Sequence, residues 1–207
     1  MDQLIKMIMF VHDGFEEAEA LTAVDLLRRA GVKTDVCSMT GNTVIKGSHG
    51  ISVFADLEFS DICDADVKME SGAVEEGALA DFSAITDSYD GMILPGGQPN
   101  SFSLRDDERI TELVKAFDRK GKLVAAICAA PCVLERAGVL DGKKCTSYPG
   151  MISPDNKIYL EETAVTDGNI ITSRGAGTSV EFALAIVGKL FGAAKADQIA
   201  TLIMFRS

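Results

Sequence analysis

Lys122-Leu-Val-Ala-Ala-Ile127 runs directly into Cys128-Ala-Ala-Pro-Cys132. An unbroken apolar run of this length suits a strand buried on both faces. Such a strand belongs in a parallel sheet with helices packed on either side. The small residues and Pro131 that follow suit a turn opening a helix. Cys128 then stands at a strand-to-helix junction, the geometry that presents a nucleophile at the end of a sheet.

The remainder of the chain repeats the pattern. Leu4–Val11 reads as a strand, and His12-Asp13-Gly14-Phe15 as a turn. Asp13 with Glu16 resembles a capping box. A helix follows from about Glu16 to Ala30, with Ala20, Val24 and Leu27 on one face and Gly31 as its stop. With Val32–Ser38 as the next strand, this is a βαβ unit, which builds parallel sheets. Thr43–Ile45 and Ile51–Phe54 flank Gly47-Ser-His-Gly50 as a short hairpin. Tyr89–Leu94 is a strand ending in Pro95-Gly96-Gly97. Asp106–Arg119 is a helix with Ile110, Val114 and Phe117 inward. A short helix runs from Ala129 to near Gly138. Lys144–Ser147, Lys157–Leu160, Ala164–Thr166 and Asn169–Ser173 are strand-like, with a turn at Asp167-Gly168. Thr178 with Glu181 is a second capping-box candidate, opening a helix to about Phe191 with Val180, Leu184, Val187 and Phe191 inward. A last helix covers Ala194–Ile203. The alternation predicts one α/β domain over residues 1–207, a three-layer α/β/α sandwich.

Composition narrows the function. The net charge is -11, and residues 61–90 hold nine acidic side chains and one Lys. Residues 61–87 therefore read as an acidic surface insertion, helical in part, that describes one segment more than the fold. No basic patch exists to neutralise phosphates, so neither nucleic acid nor an anionic membrane is an expected partner. The longest apolar run, Leu123–Leu134, is too short to span a bilayer. The N-terminus lacks the pattern of a signal peptide, and five cysteines without zinc-type spacing suit free thiols in a cytoplasmic setting. Only His12 and His49 are available, which argues against a His-rich metal centre. The dinucleotide fingerprint fails after Gly175-Ala-Gly177, because position 180 is Val. No metal and no organic cofactor are expected.

Sites in open α/β sheets lie outside the carboxyl ends of the strands. Cys128 at a helix start would gain thiolate character from the helix end. The N–H groups of Gly96, Gly97 and Ala129 could form an anion hole beside it. A buried, inert cysteine fits the same pattern equally well. Glu16 and Glu17 suit the start of the first helix as dipole complements. Glu19, about a turn further in, could face the crevice and stay protonated beside a thiolate, moving protons to and from the sulfur. His12 follows the first strand and could approach Cys128, although a turn-surface role is the commoner one. Cys132, Cys37, Cys63 and Cys145 read as packing residues.

Taken together, Gly14-Phe-Glu-Glu-Ala-Glu19, Leu27-Arg-Arg-Ala-Gly31, Leu94-Pro-Gly-Gly97, Ala125-Ala-Ile-Cys-Ala-Ala-Pro131, Thr172-Ser-Arg-Gly-Ala-Gly-Thr-Ser179 and Glu181-Phe-Ala-Leu-Ala-Ile186 resemble the ThiJ/PfpI (DJ-1/PfpI) superfamily, in its DJ-1-like branch. The resemblance implies a flavodoxin-like fold of the class I glutamine amidotransferase type, in a homodimer. It implies Cys128 as an oxidation-sensitive nucleophile with Glu19 as its protonated partner, and backbone amides of Gly96, Gly97 and Ala129 around the pocket. Activities implied are glyoxalase-type or deglycase-type chemistry on methylglyoxal and its adducts, oxidative-stress sensing, or chaperoning. The small-molecule partner would be a reactive carbonyl or an oxidant. Three departures modify this. Ala129 stands where the protease-like branch has His, which argues against a Cys-His peptidase. Tyr148 stands where animal relatives place a pocket His. His49 stands where that branch has an Arg reaching the partner subunit's site. The acidic segment around Asp64–Asp81 is longer than usual for the branch.

Overall fold

The computed structural model describes residues 4–63, 82–155 and 157–205. Its elements are β1 (Lys6–Val11), α1 (Glu17–Ala30), β2 (Lys33–Ser38), β3 (Val44–Lys46), β4 (Ser52–Phe54), β5 (Leu57–Glu58), α2 (Ser83–Ser88), β6 (Gly91–Leu94), α3 (Gln98–Asp106), α4 (Glu108–Arg119), β7 (Leu123–Ile127), α5 (Pro131–Arg136), β8 (Lys144–Cys145), β9 (Ile158–Tyr159), β10 (Ala164–Asp167), β11 (Ile170–Ser173), α6 (Ser179–Phe191) and α7 (Ala193–Leu202). Seven strands form one sheet in the order β10-β11-β7-β6-β1-β2-β5. Every neighbouring pair is parallel except β10 with β11. The central order, with β1 between β2 and β6, is that of the flavodoxin-like doubly wound sheet.

The apolar runs are continuous because helices cover both faces. Met7, Met9 and Val11 of β1, Ile93 of β6, and Leu123, Ala125 and Ile127 of β7 pack with α1, α6 and α7. Their alternates Ile8, Phe10, Met92, Leu94, Val124 and Ala126 pack with α2 through α5. Side chains on a strand point to opposite faces in turn, so a strand serving two cores has no polar face. The three-layer sandwich with a mostly parallel sheet is as the sequence predicts.

Several local expectations need correction. The helix expected over Asp106–Arg119 forms as α4, and α3 before it is a helix the sequence does not announce. Asp107 separates the two, and its side chain caps α4 by accepting the Arg109 N–H at 2.9 Å. The preceding α3 starts at Gly97 with Pro99 in its first turn, a polar, Ser-rich stretch without a strong apolar period. Neither expected capping box forms at its helix. Glu16 caps α1 without a side-chain bond, while Asp13 Oδ1 accepts the Lys46 N–H at 2.8 Å. Thr178 Oγ1 turns back to Gly175 and to Ser173 at 2.7 Å. Both side chains are taken by partners that only the tertiary fold supplies. The buried face of α6 is Phe182, Ala183, Ile186 and Val187 together with Leu184; Val180 is half-buried and Phe191 is exposed. The short strands shrink to Lys144–Cys145 and Ile158–Tyr159, a separate parallel pair.

The acidic insertion is also narrower than expected. Phe82, Ile85 and Thr86 are buried, and Phe82 and Ile85 belong to the core under α4. Ile62 and Cys63 pack against the same core. The rest of that expectation, Asp64–Asp81, lies outside the described residues.

The two phenylalanines of α6 test the corrected face. Phe182→Ala should lower stability by about 3–5 kcal/mol in urea unfolding. Phe191→Ala should cost about 1 kcal/mol or less. Equal costs would restore the face read from the sequence.

Candidate active site

Four parallel strands end together, and backbone bonds lock those ends into one rim. After β1, the Glu16 N–H donates to Gly96 O at 3.0 Å. Buried Asn100 accepts the His12 N–H at 2.6 Å and donates to Pro95 O and Gly96 O, which ties the ends of β1 and β6. The Cys128 N–H donates to Ser173 O at 3.0 Å, joining the ends of β7 and β11, and the Tyr148 N–H donates to Cys128 O at 2.8 Å.

Cys128 has φ of 66°, in the left-handed region that a residue with a Cβ rarely adopts. The conformation costs about 1–2 kcal/mol. It turns the half-buried sulfur out of the sheet and toward Glu19. The helix α5 begins only at Pro131, after two turn residues, and has six residues. It therefore does not supply the thiolate stabilisation expected of a helix start. Backbone N–H groups of Ala129 and Gly97 take that part instead, since both pull the thiol pKa down.

Glu19 is fully buried on α1. Its Oε2 accepts the Gly96 N–H at 2.7 Å. Its Oε1 has no hydrogen-bond partner. Burial is the main cause that raises its carboxyl to about 7, against the hydrogen bonds from Cys128 and Gly96. The Cys128 thiol is pushed up to about 12, first by burial, then by the charge and the hydrogen bond of Glu19. The contributions from Glu19 exist only while Glu19 is ionised. The pair therefore titrates as a unit, with both protons bound below about pH 7 and one retained above it, because two negative charges so close and so dry disfavour each other. That proton can sit on sulfur or on carboxyl, which equips the pair to pass it to a reacting group.

The amides beside the sulfur divide differently from the sequence expectation. The Gly96 N–H faces Glu19, so the hole at the sulfur is built from Gly97 and Ala129. Gly96 carries no side chain because a Cβ there would lie 2.6 Å from the Cys128 Cβ. Gly97 has φ of 85° and its Cβ would strike the Gly14–Glu16 backbone. Tyr148 is at the pocket edge and 52% exposed. His49 lies elsewhere in this chain, on the turn of the β3–β4 hairpin. Its ring nitrogen is 2.9 Å from Glu17 Oε2. Burial pushes Glu17 up, but bonds from the His49 ring and from backbone N–H groups outweigh it and hold the carboxyl at about 2. The same hydrogen bond raises the His49 pKa.

Among the described residues, Glu16, Glu17 and His49 are the one group whose ligand atoms lie within 4.8 Å of one another. These atoms are already paired with each other and with Ser48, and they fasten the hairpin to α1. One residue escapes the sequence reading. Asn100 sits in a polar stretch without a motif, and its three bonds depend on strands far apart in the chain. Its one signal in the sequence is its position shortly after a strand end.

The chain matches the model of the DJ-1/PfpI family over residues 5–189. Protein dj-1beta of Drosophila melanogaster is 35% identical over 196 residues, covering 93% of each chain. The crystal structure of Drosophila melanogaster DJ-1beta superposes with a TM-score of 0.82 at 33% identity, over 98% of both chains. The oxidised DJ-1 of Toxoplasma gondii superposes with a TM-score of 0.79 at 30% identity, over 97% of this chain and 98% of that one. A Pyrococcus abyssi protein named as a deglycase is 30% identical over 178 residues, 84% of this chain and 92% of that one.

Raising the Glu19 pKa from 4.5 to about 7 means that folding loses stability as pH rises. Below the unfolded value both states are protonated and the penalty vanishes. Above about 7 it is complete, at about 3 kcal/mol as an upper figure. Glu19→Gln keeps an acceptor for Gly96 and cannot ionise. Its stability relative to wild type should therefore increase between pH 4.5 and pH 7, followed by urea midpoints. A constant difference across that window would remove the buried, proton-holding carboxyl.

Proposed function

The chain belongs to the DJ-1/PfpI family, and on that premise we propose that it acts on reactive small carbonyls, with Cys128 as nucleophile and Glu19 as proton carrier. The observation that supports this reading is the fully buried Glu19 carboxyl beside Cys128, bonded to the Gly96 N–H at 2.7 Å, with the Gly97 and Ala129 N–H groups at the sulfur. The substrate class is α-oxoaldehydes such as methylglyoxal and their adducts, in keeping with the relative named as a deglycase. The sulfur adds to the aldehyde carbon. A C–S bond forms, the C=O π bond breaks, and the pair's proton goes to the new alkoxide, giving a hemithioacetal. Glu19 then takes the proton from the former aldehyde carbon and returns it to the neighbouring carbon. The hemithioacetal hydroxyl gives its proton to that carbon's oxygen, so the second carbon becomes an alcohol and the first a thioester. Water hydrolyses the thioester to a hydroxy acid and restores the thiol. The sequence is redox-neutral and needs no outside electron carrier. No histidine takes part.

A second reading has support from the related structure described as oxidised. Cys128 would be oxidised by peroxide to sulfenic and then sulfinic acid, each step consuming one peroxide and releasing one water. Cys37, Cys132 and Cys145 are buried and Cys128 is half-buried. The homodimer implied by the family resemblance goes with either reading, and exposed Val44, Ile51 and Phe54 on the hairpin favour it.

Lactate formation from methylglyoxal separates the readings. Wild type should form lactate, and Cys128→Ala should lose about 10²-fold or more, as removal of a nucleophile does. Equal rates would end the carbonyl reading. Intact mass after mild peroxide should show two added oxygens on Cys128 if the sensor reading holds, and oxidation confined to Cys63 would end it.

A further inference from the structure

Two N–H groups of the Pro95–Gly97 backbone serve the Glu19–Cys128 pair, and one side chain stands behind both. In a planar trans peptide the carbonyl and the next N–H point in opposite directions, so whatever holds the oxygen aims the hydrogen. The Pro95–Gly96 peptide carries the N–H that donates to Glu19 Oε2 at 2.7 Å. Its oxygen accepts from Asn100 Nδ2 at 2.8 Å. The Gly96–Gly97 peptide carries the N–H beside the Cys128 sulfur. Its oxygen accepts from the same Nδ2 at 3.1 Å. An amide nitrogen has two hydrogens, one for each carbonyl. Asn100 Oδ1 accepts the His12 N–H at 2.6 Å, which anchors the carboxamide to the end of β1. Asn100 is itself fully buried.

The glycines make such a holder necessary. A Cβ at position 96 would strike Glu19 and Cys128, and one at 97 would strike the Gly14–Glu16 backbone. Two successive glycines are also the most pliable backbone a chain can have. We propose that Asn100 is the positioning residue of this site: its one carboxamide holds both peptides, aims one N–H at Glu19 and the other at Cys128, and thereby sets the reactivity of the sulfur. A donor on each carbonyl also polarises the peptide and strengthens its N–H. The role rests on the Glu19–Cys128 pair of the reading above and not on which electrophile meets it. Without the carboxamide, each ionised group loses its hold on an N–H, so both keep their protons to higher pH. The charged groups that act on Glu19, Cys128 and Glu16, are unchanged in every variant below.

The test is the pH profile of Cys128 alkylation by iodoacetamide, followed by peptide mass, which needs no turnover. In wild type the rate should rise through about pH 7, where the pair releases its first proton, and then level off. Asn100→Leu, which keeps the bulk, and Asn100→Ala should move that rise up by about one pH unit. The rate at pH 7 should fall about tenfold, the size of a lost hydrogen bond to a charged group. Phe117→Leu is the control for instability alone. Phe117 is buried at the far end of β7, where its carbonyl accepts the Lys122 N–H at 2.9 Å. That variant should lower the urea midpoint and leave the profile in place. An unshifted profile in a folded Asn100 variant overturns the positioning role, as does an equal shift in Phe117→Leu. In the unaltered protein, NMR should show the Gly96 and Gly97 N–H groups exchanging with deuterium as slowly as those of β6. Exchange as fast as in exposed turns overturns the role as well. Absence of lactate from methylglyoxal, with the profile shifted as described, supports the role and ends only the carbonyl reading.

Discussion

The hydrogen bond from the Gly96 N–H to Glu19 Oε2 holds the candidate site together. It joins a helix after the first strand to a loop after the sixth. It can form only because position 96 lacks a Cβ, which would collide with Cys128 and with the carboxylate itself. The bond gives a fully buried carboxyl one strong partner and leaves its other oxygen with none. A carboxyl in that condition keeps its proton far above the usual range. Everything chemical at the site follows from that: one proton shared between oxygen and sulfur, and amides of Gly97 and Ala129 arranged about the sulfur to accept what charge remains.

The strain of this arrangement is concentrated. Cys128 in the left-handed region and Glu19 buried with an open valence are both unfavourable in isolation. Among the described residues, the strands that end at the site, β1, β6, β7 and β11, hold no left-handed residue and no buried unpaired side-chain atom. Their apolar periodicity, helix coverage and pairing agree, and that agreement offsets the local cost. Asn100 has a supporting part here, since its side chain closes the gap between two strand ends with bonds to backbone groups that burial would otherwise leave unpaired.

Some of the structure could be read directly. Apolar runs such as Leu123–Ile127 indicate two-sided burial with little ambiguity, because a parallel strand has no solvent face. Gly31, at φ of 95°, ends α1 where its type and spacing say it should. Polar side chains were read less well. Asp13, Thr178 and Glu16 carry the residue types of helix caps, yet a hydroxyl or carboxylate bonds to whichever donor tertiary folding brings nearest. Asp13 found Lys46 and Thr178 found Ser173. The polar helix α3 has no apolar stripe to announce it, and its boundary with α4 depends on one capping aspartate.

From the sequence alone followed the α/β class, the alternation of the main strands and helices without β5, α2 and α3, and the placing of Cys128 and the paired glycines at strand ends with Glu19 a turn into the first helix. These depend on periodicity and on residue type, both local properties. Only the tertiary structure decided which amide serves which atom. It gave the Gly96 N–H to Glu19 and the Gly97 and Ala129 N–H groups to Cys128, took the site's charge control from a helix end to a buried carboxyl, and left His49 on a hairpin with Glu17. These are matters of distance and burial between segments far apart in the chain, and no local pattern encodes them.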